Sequence, residues 1–148
     1  MMFITHISLG LLLGLIIVKN ISLPVNQAIF IGAIILGSLF PDIDSATSFI
    51  GSKFKLVSLF FKHRGAIHSL PLLAACSMVF FILSGNAYYA IAFLLGYLFH
   101  LLIDSLTPKG VAWLWPSKKR VRGIFRTTGI FDMMFLLFFI ALDLVILL

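Results

Sequence analysis

The sequence predicts an all-α integral membrane protein of about five transmembrane helices in a compact bundle, and three observations carry that expectation. Of its 148 residues 61% are hydrophobic and 11% charged, where soluble domains average roughly 25% charged. Mean hydropathy is +1.17. The apolar residues fall in five runs of about 16 to 20, close to what crosses a hydrocarbon core about 30 Å thick. The basic residues collect between these runs.

The first run, Phe3 to Val18, is read as a retained helix. No Lys or Arg precedes it, and Lys19 and Asn20 stand where a signal peptide would carry small residues for cleavage. The second, Val25 to Phe40, is bounded by Pro24 and Pro41. Beyond it Ile50, Phe54, Val57 and Phe61 recur at helical spacing among Lys53, Lys55 and Lys62, which fits an interfacial helix at about 49–62 or an ordinary connecting loop. The third run spans Ser69 to Ser84, with Ser69 as N-cap and Pro71 in the first turn. Ser84-Gly85-Asn86 separates it from the fourth, Ala87 to Leu106, which stops at Thr107-Pro108. The fifth runs from Gly129 to Leu148. The joining loops are too short for a second folded unit, so residues 1–148 are expected to form a single transmembrane domain.

A formal charge of +6 and a pI near 9.8 would suggest nucleic acid in a soluble protein. Here the charges set topology. Lys53, Lys55, Lys62 and Arg64 follow the second run, and Lys109, Lys118, Lys119, Arg120, Arg122 and Arg126 follow the fourth, against Lys19 alone in the opposite loops. The positive-inside rule then puts both basic loops and the N-terminus in the cytoplasm and the C-terminus outside. No nucleic-acid partner is expected; Lys118, Lys119, Arg120 and Arg122 are expected to attract anionic lipid headgroups. Trp113 and Trp115 read as interfacial anchors. Cys76, the one cysteine, cannot form an intramolecular disulfide and reads as a packing residue.

On this topology all four histidines fall at the cytoplasmic end: His6 starts run one, His63 and His68 lead into run three, and His100 ends run four. Asp42, Asp44, Asp104 and Asp132 share that end, and Asp143 alone lies near the other, where it is expected to snorkel. His100 and Asp104, four apart, share a helix face. Asp42 and Asp44, two apart after Pro41, can aim carboxylates at a common point, while Gly10 and Gly14 allow a close neighbour beside the His6 helix. Ionisable groups are costly in a bilayer and mark function by default. The seven candidate ligands are therefore His6, Asp42, Asp44, His63, His68, His100 and Asp104. Mixed imidazole and carboxylate donors suit Zn, with Mn or Fe as alternatives, and seven exceed the needs of one ion, so two ions about 3.5–4 Å apart are expected. Each group also has a plainer reading, as a helix–helix hydrogen bond or an interfacial cap. Arg64 is the candidate phosphate grip, because guanidinium binds phosphate bidentately; Lys109 is a second.

The segments Thr5-His6, Gly37-Ser38-Leu39-Phe40-Pro41-Asp42-Ile43-Asp44-Ser45, His63-Arg64-Gly65-Ala66-Ile67-His68-Ser69 and His100-Leu101-Leu102-Ile103-Asp104-Ser105-Leu106-Thr107-Pro108-Lys109-Gly110 together resemble the YdjM-like family of bacterial inner-membrane proteins. That resemblance covers nearly the whole chain and implies a LexA-regulated, membrane-bound, metal-dependent hydrolase of the SOS response. The family is similar in turn to zinc-dependent phospholipase C and P1 nuclease, whose His-x-x-x-Asp pair His100 and Asp104 match. Their later His-x-x-x-Glu has no counterpart, since the chain has no Glu and no His after His100, and a three-metal set is not implied.

Residues and resemblance together lead to an expected phosphoesterase. It acts on a phospholipid or other membrane-associated phosphoester through metal-activated water at the cytoplasmic face, with Asp42 as ligand or as the base that orients the water and Asp44 as ligand or bridge. A divalent-metal transporter or sensor, and a non-catalytic protein with a structural metal, are the alternatives; the expected partners are membrane lipids and the phosphoester substrate, and nothing indicates an oligomeric state. Gly37-Ser38-Leu39-Phe40 before Asp44-Ser45 also parallels Gly96-Tyr97-Leu98-Phe99 before Asp104-Ser105, an echo that would make runs one-two and three-four related hairpins.

Overall fold

The computed structural model describes residues 3–44, 65–117, 119–125 and 129–148. Among these are five α-helices: α1 (Phe3–Asn20), α2 (Gln27–Leu39), α3 (Leu70–Ser84), α4 (Ala87–Ser105) and α5 (Ile130–Leu147). They match the five predicted runs to within a few residues. The interfacial helix expected at about 49–62 lies outside the described residues. Among the described residues three segments are long and apolar enough to cross a membrane, Phe3–Asn20, Gln27–Asp44 and Ala87–Ser105, and Leu70–Ser84 is a shorter apolar helix.

Local chemistry sets the helix ends. Asn26 caps α2, its side chain accepting from the Ile29 amide at 3.1 Å. Asn86 caps α4 by accepting from the Tyr88 amide at 2.9 Å. Gly85 closes α3 in the left-handed region at φ 61°, where a Cβ would be strained. At Pro41 the missing N–H breaks the α-helical ladder, and residues Phe40–Asp44 tighten into a 3-10 turn. Ser69 does occupy the N-cap of α3 with Pro71 in the first turn, but its hydroxyl donates to Ala66 O at 2.6 Å instead of accepting from the helix.

In space α2 and α4 form the centre. Helix α1 packs on α2 and touches α4, α3 packs on the far side of α4, and α5 packs on α1. Two glycines create the central crossing. A Cβ on Gly37 would lie 2.1 Å from Phe93 O and 3.0 Å from Tyr97 N, and one on Gly96 would lie 1.9 Å from Ile34 O and 2.9 Å from Ser38 N. The contacts are reciprocal, each glycine meeting residues three before and one after the other. The two halves of the predicted echo thus meet face to face. Gly10 likewise admits Ser38, whose Oγ would lie 2.8 Å from a Cβ there.

After α4 the chain folds back across its end. Phe125 N donates to Leu106 O at 3.0 Å, Gly123 N to Thr107 O at 3.1 Å, and Val111 and Val121 exchange two bonds as an isolated antiparallel bridge. Trp113 departs from expectation. Its indole N–H donates to Ser105 Oγ at 2.7 Å, its carbonyl accepts from Leu70 N at 2.9 Å, and its ring packs against the Tyr97 and Leu101 core. It ties the loop to α3 and α4, whereas Trp115 is half exposed.

Candidate metal centre

Helix α1 begins, α2 ends, α3 begins and α4 ends at one end of the bundle, so polar residues at those four termini converge. Six of the seven candidate ligands are described, and the fold brings all six together; His63 and Arg64 lie outside the described residues. His6, His68, His100, Asp44 and Asp104 are each at most 2% exposed, and Asp42, at 8%, is the most accessible.

His100 is the hub. Its Nδ1 lies 2.6 Å from Ser38 O, and because a carbonyl only accepts, Nδ1 carries the proton and Nε2 is left with a bare lone pair. That Nε2 faces His68 Nε2 at 3.3 Å, Asp104 Oδ2 at 3.8 Å and Asp42 Oδ1 at 3.9 Å. Asp104 bridges, with Oδ2 3.5 Å from His68 Nε2 and Oδ1 3.9 Å from His6 Nε2. The His6 ring stacks on that of His100 at 4.0 Å between centroids.

Asp44 sits differently. Its Oδ2 lies 3.2 Å from His68 Nδ1, on the side of the ring away from the other histidines, in the position of a carboxylate that orients an imidazole and leaves Nε2 to the cluster. Burial lowers the pKa of His68, but the carboxylates of Asp104 and Asp44 outweigh it and raise the value to about 9.

The donor set fits a divalent cation. Ligands about 2.0–2.1 Å from a tetrahedral centre stand about 3.3 Å apart, and the His68 and His100 nitrogens are at that spacing with Asp104 Oδ2 slightly farther. Buried His6 Nδ1 has no hydrogen-bond partner among the described residues. Two buried groups, His6–His100–Asp104 and Asp42–His68–His100, each place their ligand atoms within 4.8 Å of one another and can hold a metal ion.

Several supporting residues were not singled out from sequence. Ser38 meets two histidines, its carbonyl accepting from His100 and its one hydroxyl proton shared between Ile35 O at 2.8 Å and His6 O at 3.0 Å. The buried Tyr97 hydroxyl donates to Ile67 O, holding the peptide before His68. Tyr97, His100 and Asp104 form an i, i+3, i+7 stripe, a helical-face signal that points to Tyr97. Thr5 donates to Asp132 at 3.1 Å, so Asp132 reaches the residue beside His6. Asp143 does not snorkel: it is 5% exposed and accepts from Ser8 at 2.7 Å, linking α5 to the His6 end of α1.

The YdjM inner membrane protein family matches residues 1–147. The inner membrane protein YdjM of Escherichia coli K12 is 40% identical over 97 residues, covering 60% of this chain and 50% of that protein, and the YdjM of Shigella flexneri matches equally. YvsG of Bacillus subtilis 168, an uncharacterized protein, is 36% identical over 105 residues, covering 66% of this chain and 64% of its own. The chain spans about half the length of the curated YdjM relatives it matches. No solved structure matches it.

Proposed function

The chain belongs to the YdjM inner membrane protein family, and from that premise we propose that its buried histidine–aspartate cluster binds divalent metal and makes it a membrane-bound hydrolase, a phosphoesterase acting on a phospholipid or another membrane-associated substrate. The carrying observation is the convergence of His100 Nε2, held as a bare lone pair by Ser38 O, with His68 Nε2 and the Asp104 carboxylate. His6, His68, His100 and Asp104 hold the metal, which is zinc, with manganese or iron as the alternatives, and His63 is a further ligand. Bound metal supplies Lewis acidity and lowers the pKa of water at the site.

The remaining roles follow from position. Asp42, the most exposed member of the set, orients the attacking water or completes the metal shell. Asp44 keeps the His68 ring turned so that Nε2 faces inward. Arg64 directly precedes the Gly65–His68 turn in the chain, and its guanidinium grips the phosphate. The active end faces the cytoplasm in this reading, which the excess of Lys and Arg in the loops at that end supports.

Metal analysis of the purified protein tests this directly. Wild type should carry zinc, manganese or iron and hydrolyse phosphodiester or phospholipid substrates, and His100→Ala and Asp104→Ala should lose both; metal content unchanged in both variants would refute the assignment. One observation favours a second reading: His68 and His100 are fully buried and His6 and Asp104 nearly so, and closed sites suit structural metals. Metal-dependent folding without turnover of any phosphoester would select that reading.

A further inference from the structure

The loop between α4 and α5 presents a surface that the metal site does not use. Residues 105–131 contain six basic side chains, Lys109, Lys118, Lys119, Arg120, Arg122 and Arg126, and no acidic one. Among the described residues Lys109, Lys119 and Arg122 are exposed, and Arg120 reaches Lys109 O at 3.4 Å. Large apolar side chains stand out between the cations: Leu114 is 66% exposed, Trp115 50% and Ile124 86%. Water alone solvates such a mixture poorly. Cations interleaved with outward aromatic and aliphatic groups match the boundary of an anionic bilayer, where Lys and Arg are drawn to the negative surface and tryptophan sits at headgroup level.

The surface is anchored to the metal site. Thr107 Oγ1 donates to the carbonyl of Asp104 at 2.8 Å, and Gly123 N and Phe125 N return to Thr107 and Leu106. A headgroup held by the loop therefore lies beside the segment that carries Asp104. We propose that the described loop residues 106–117 and 119–125 bind anionic phospholipid headgroups and present that class of phosphoester to the metal site; the second half rests on the phosphoesterase reading, and the first stands without it.

The chain has two tryptophans, Trp113 and Trp115, both in this loop, so intrinsic fluorescence reports on it. The protein is reconstituted in phosphatidylcholine nanodiscs containing a fixed fraction of lipid with brominated acyl chains, either phosphatidylglycerol or phosphatidylcholine. Brominated phosphatidylglycerol should quench more strongly, about two-fold or more, and the difference should shrink in an Arg120→Gln/Arg122→Gln variant with wild-type metal content. Equal quenching by the two lipids overturns the proposal. So does collapse of the difference when soluble glycerol phosphate is added in excess, since the surface would then be a free-phosphate site. A turnover assay separates the halves. Faster hydrolysis of phosphatidylglycerol than of phosphatidylcholine supports presentation, whereas selective quenching with turnover of neither removes presentation and the phosphoesterase reading together and leaves lipid binding in place.

Discussion

Asp44 and Asp104 both lie against His68, but at different nitrogens of the ring, and that difference separates their expected phenotypes. Asp44→Asn keeps an oxygen that can accept from Nδ1 and should weaken metal binding by about 10–100-fold, the range seen when an orienting partner is altered. Asp104→Asn removes a charged ligand that touches three histidines and should abolish it; competition against a graded set of chelators measures both. His68 also sets a pH dependence. Its pKa in the metal-free fold is raised from 6.5 to about 9, so its contribution to stability is complete below about pH 6.5 and is lost as pH rises through about 9. The thermal midpoint of chelator-treated protein should therefore fall across that window. Metal affinity should rise over the same window, because metal and proton compete for the ring. The pairing of His100 with Asp104 was legible in sequence, since four residues make one helical turn. Which nitrogen of the His68 ring each carboxylate meets was not, because that depends on how separate segments pack. Asp143 was misread for a related reason: depth along its own helix does not show that Ser8 reaches it from α1.

At the scale of elements, helix ends were legible where Pro41 and the Ser84-Gly85-Asn86 turn act on the backbone within one turn, whatever the rest of the fold does, while the Asn26 cap of α2 was not singled out. The central crossing of α2 on α4 was visible only as the repeated Gly-x-Leu-Phe, and its meaning needed the partner helix. Each glycine sits against backbone atoms that cannot rotate away. The histidine–aspartate pairs repeat the symmetry: His6, at the start of the first hairpin, lies near Asp104 at the end of the second, and His68, before the second, lies near Asp44 at the end of the first. Separating α2 from α4 must therefore pull the histidine–aspartate cluster apart. Gly96→Ala would place its methyl 1.9 Å from Ile34 O, an overpacking that costs about 1–3 kcal/mol or more, and should lower thermal stability and metal content together. Gly32→Ala, on the same helix as Gly37 but with no described atom within 4 Å of the added methyl, should leave both near wild type. Equal effects of the two substitutions would show that helix propensity, not the crossing, governs the response.

For the molecule as a whole, hydropathy located the spans, because crossing a bilayer constrains length and polarity more tightly than any packing preference. How α5 docks was hidden. Thr5–Asp132, Ser8–Asp143 and the Lys19 contact to Ile146 O at 2.8 Å are polar links between distant segments that leave no periodic trace. The proposed orientation has consequences for everything at the metal end, since a site facing the cytoplasm draws on the inner leaflet and a site facing outward would meet a different substrate pool. Cys76 is the chain's one cysteine, so a Cys76→Ser background gives a clean test. In that background Lys119→Cys, exposed in the basic loop near Asp104, should react with a membrane-impermeant thiol reagent only when the cytoplasmic side is open. Ala87→Cys, exposed at the first turn of α4, should react from the outside of intact cells. The two sites lie at opposite ends of α4, so the paired pattern must invert as a unit if the orientation is wrong; Lys119→Cys reacting from outside would place the histidine cluster on the outer face and exclude the cytoplasmic phosphoesterase.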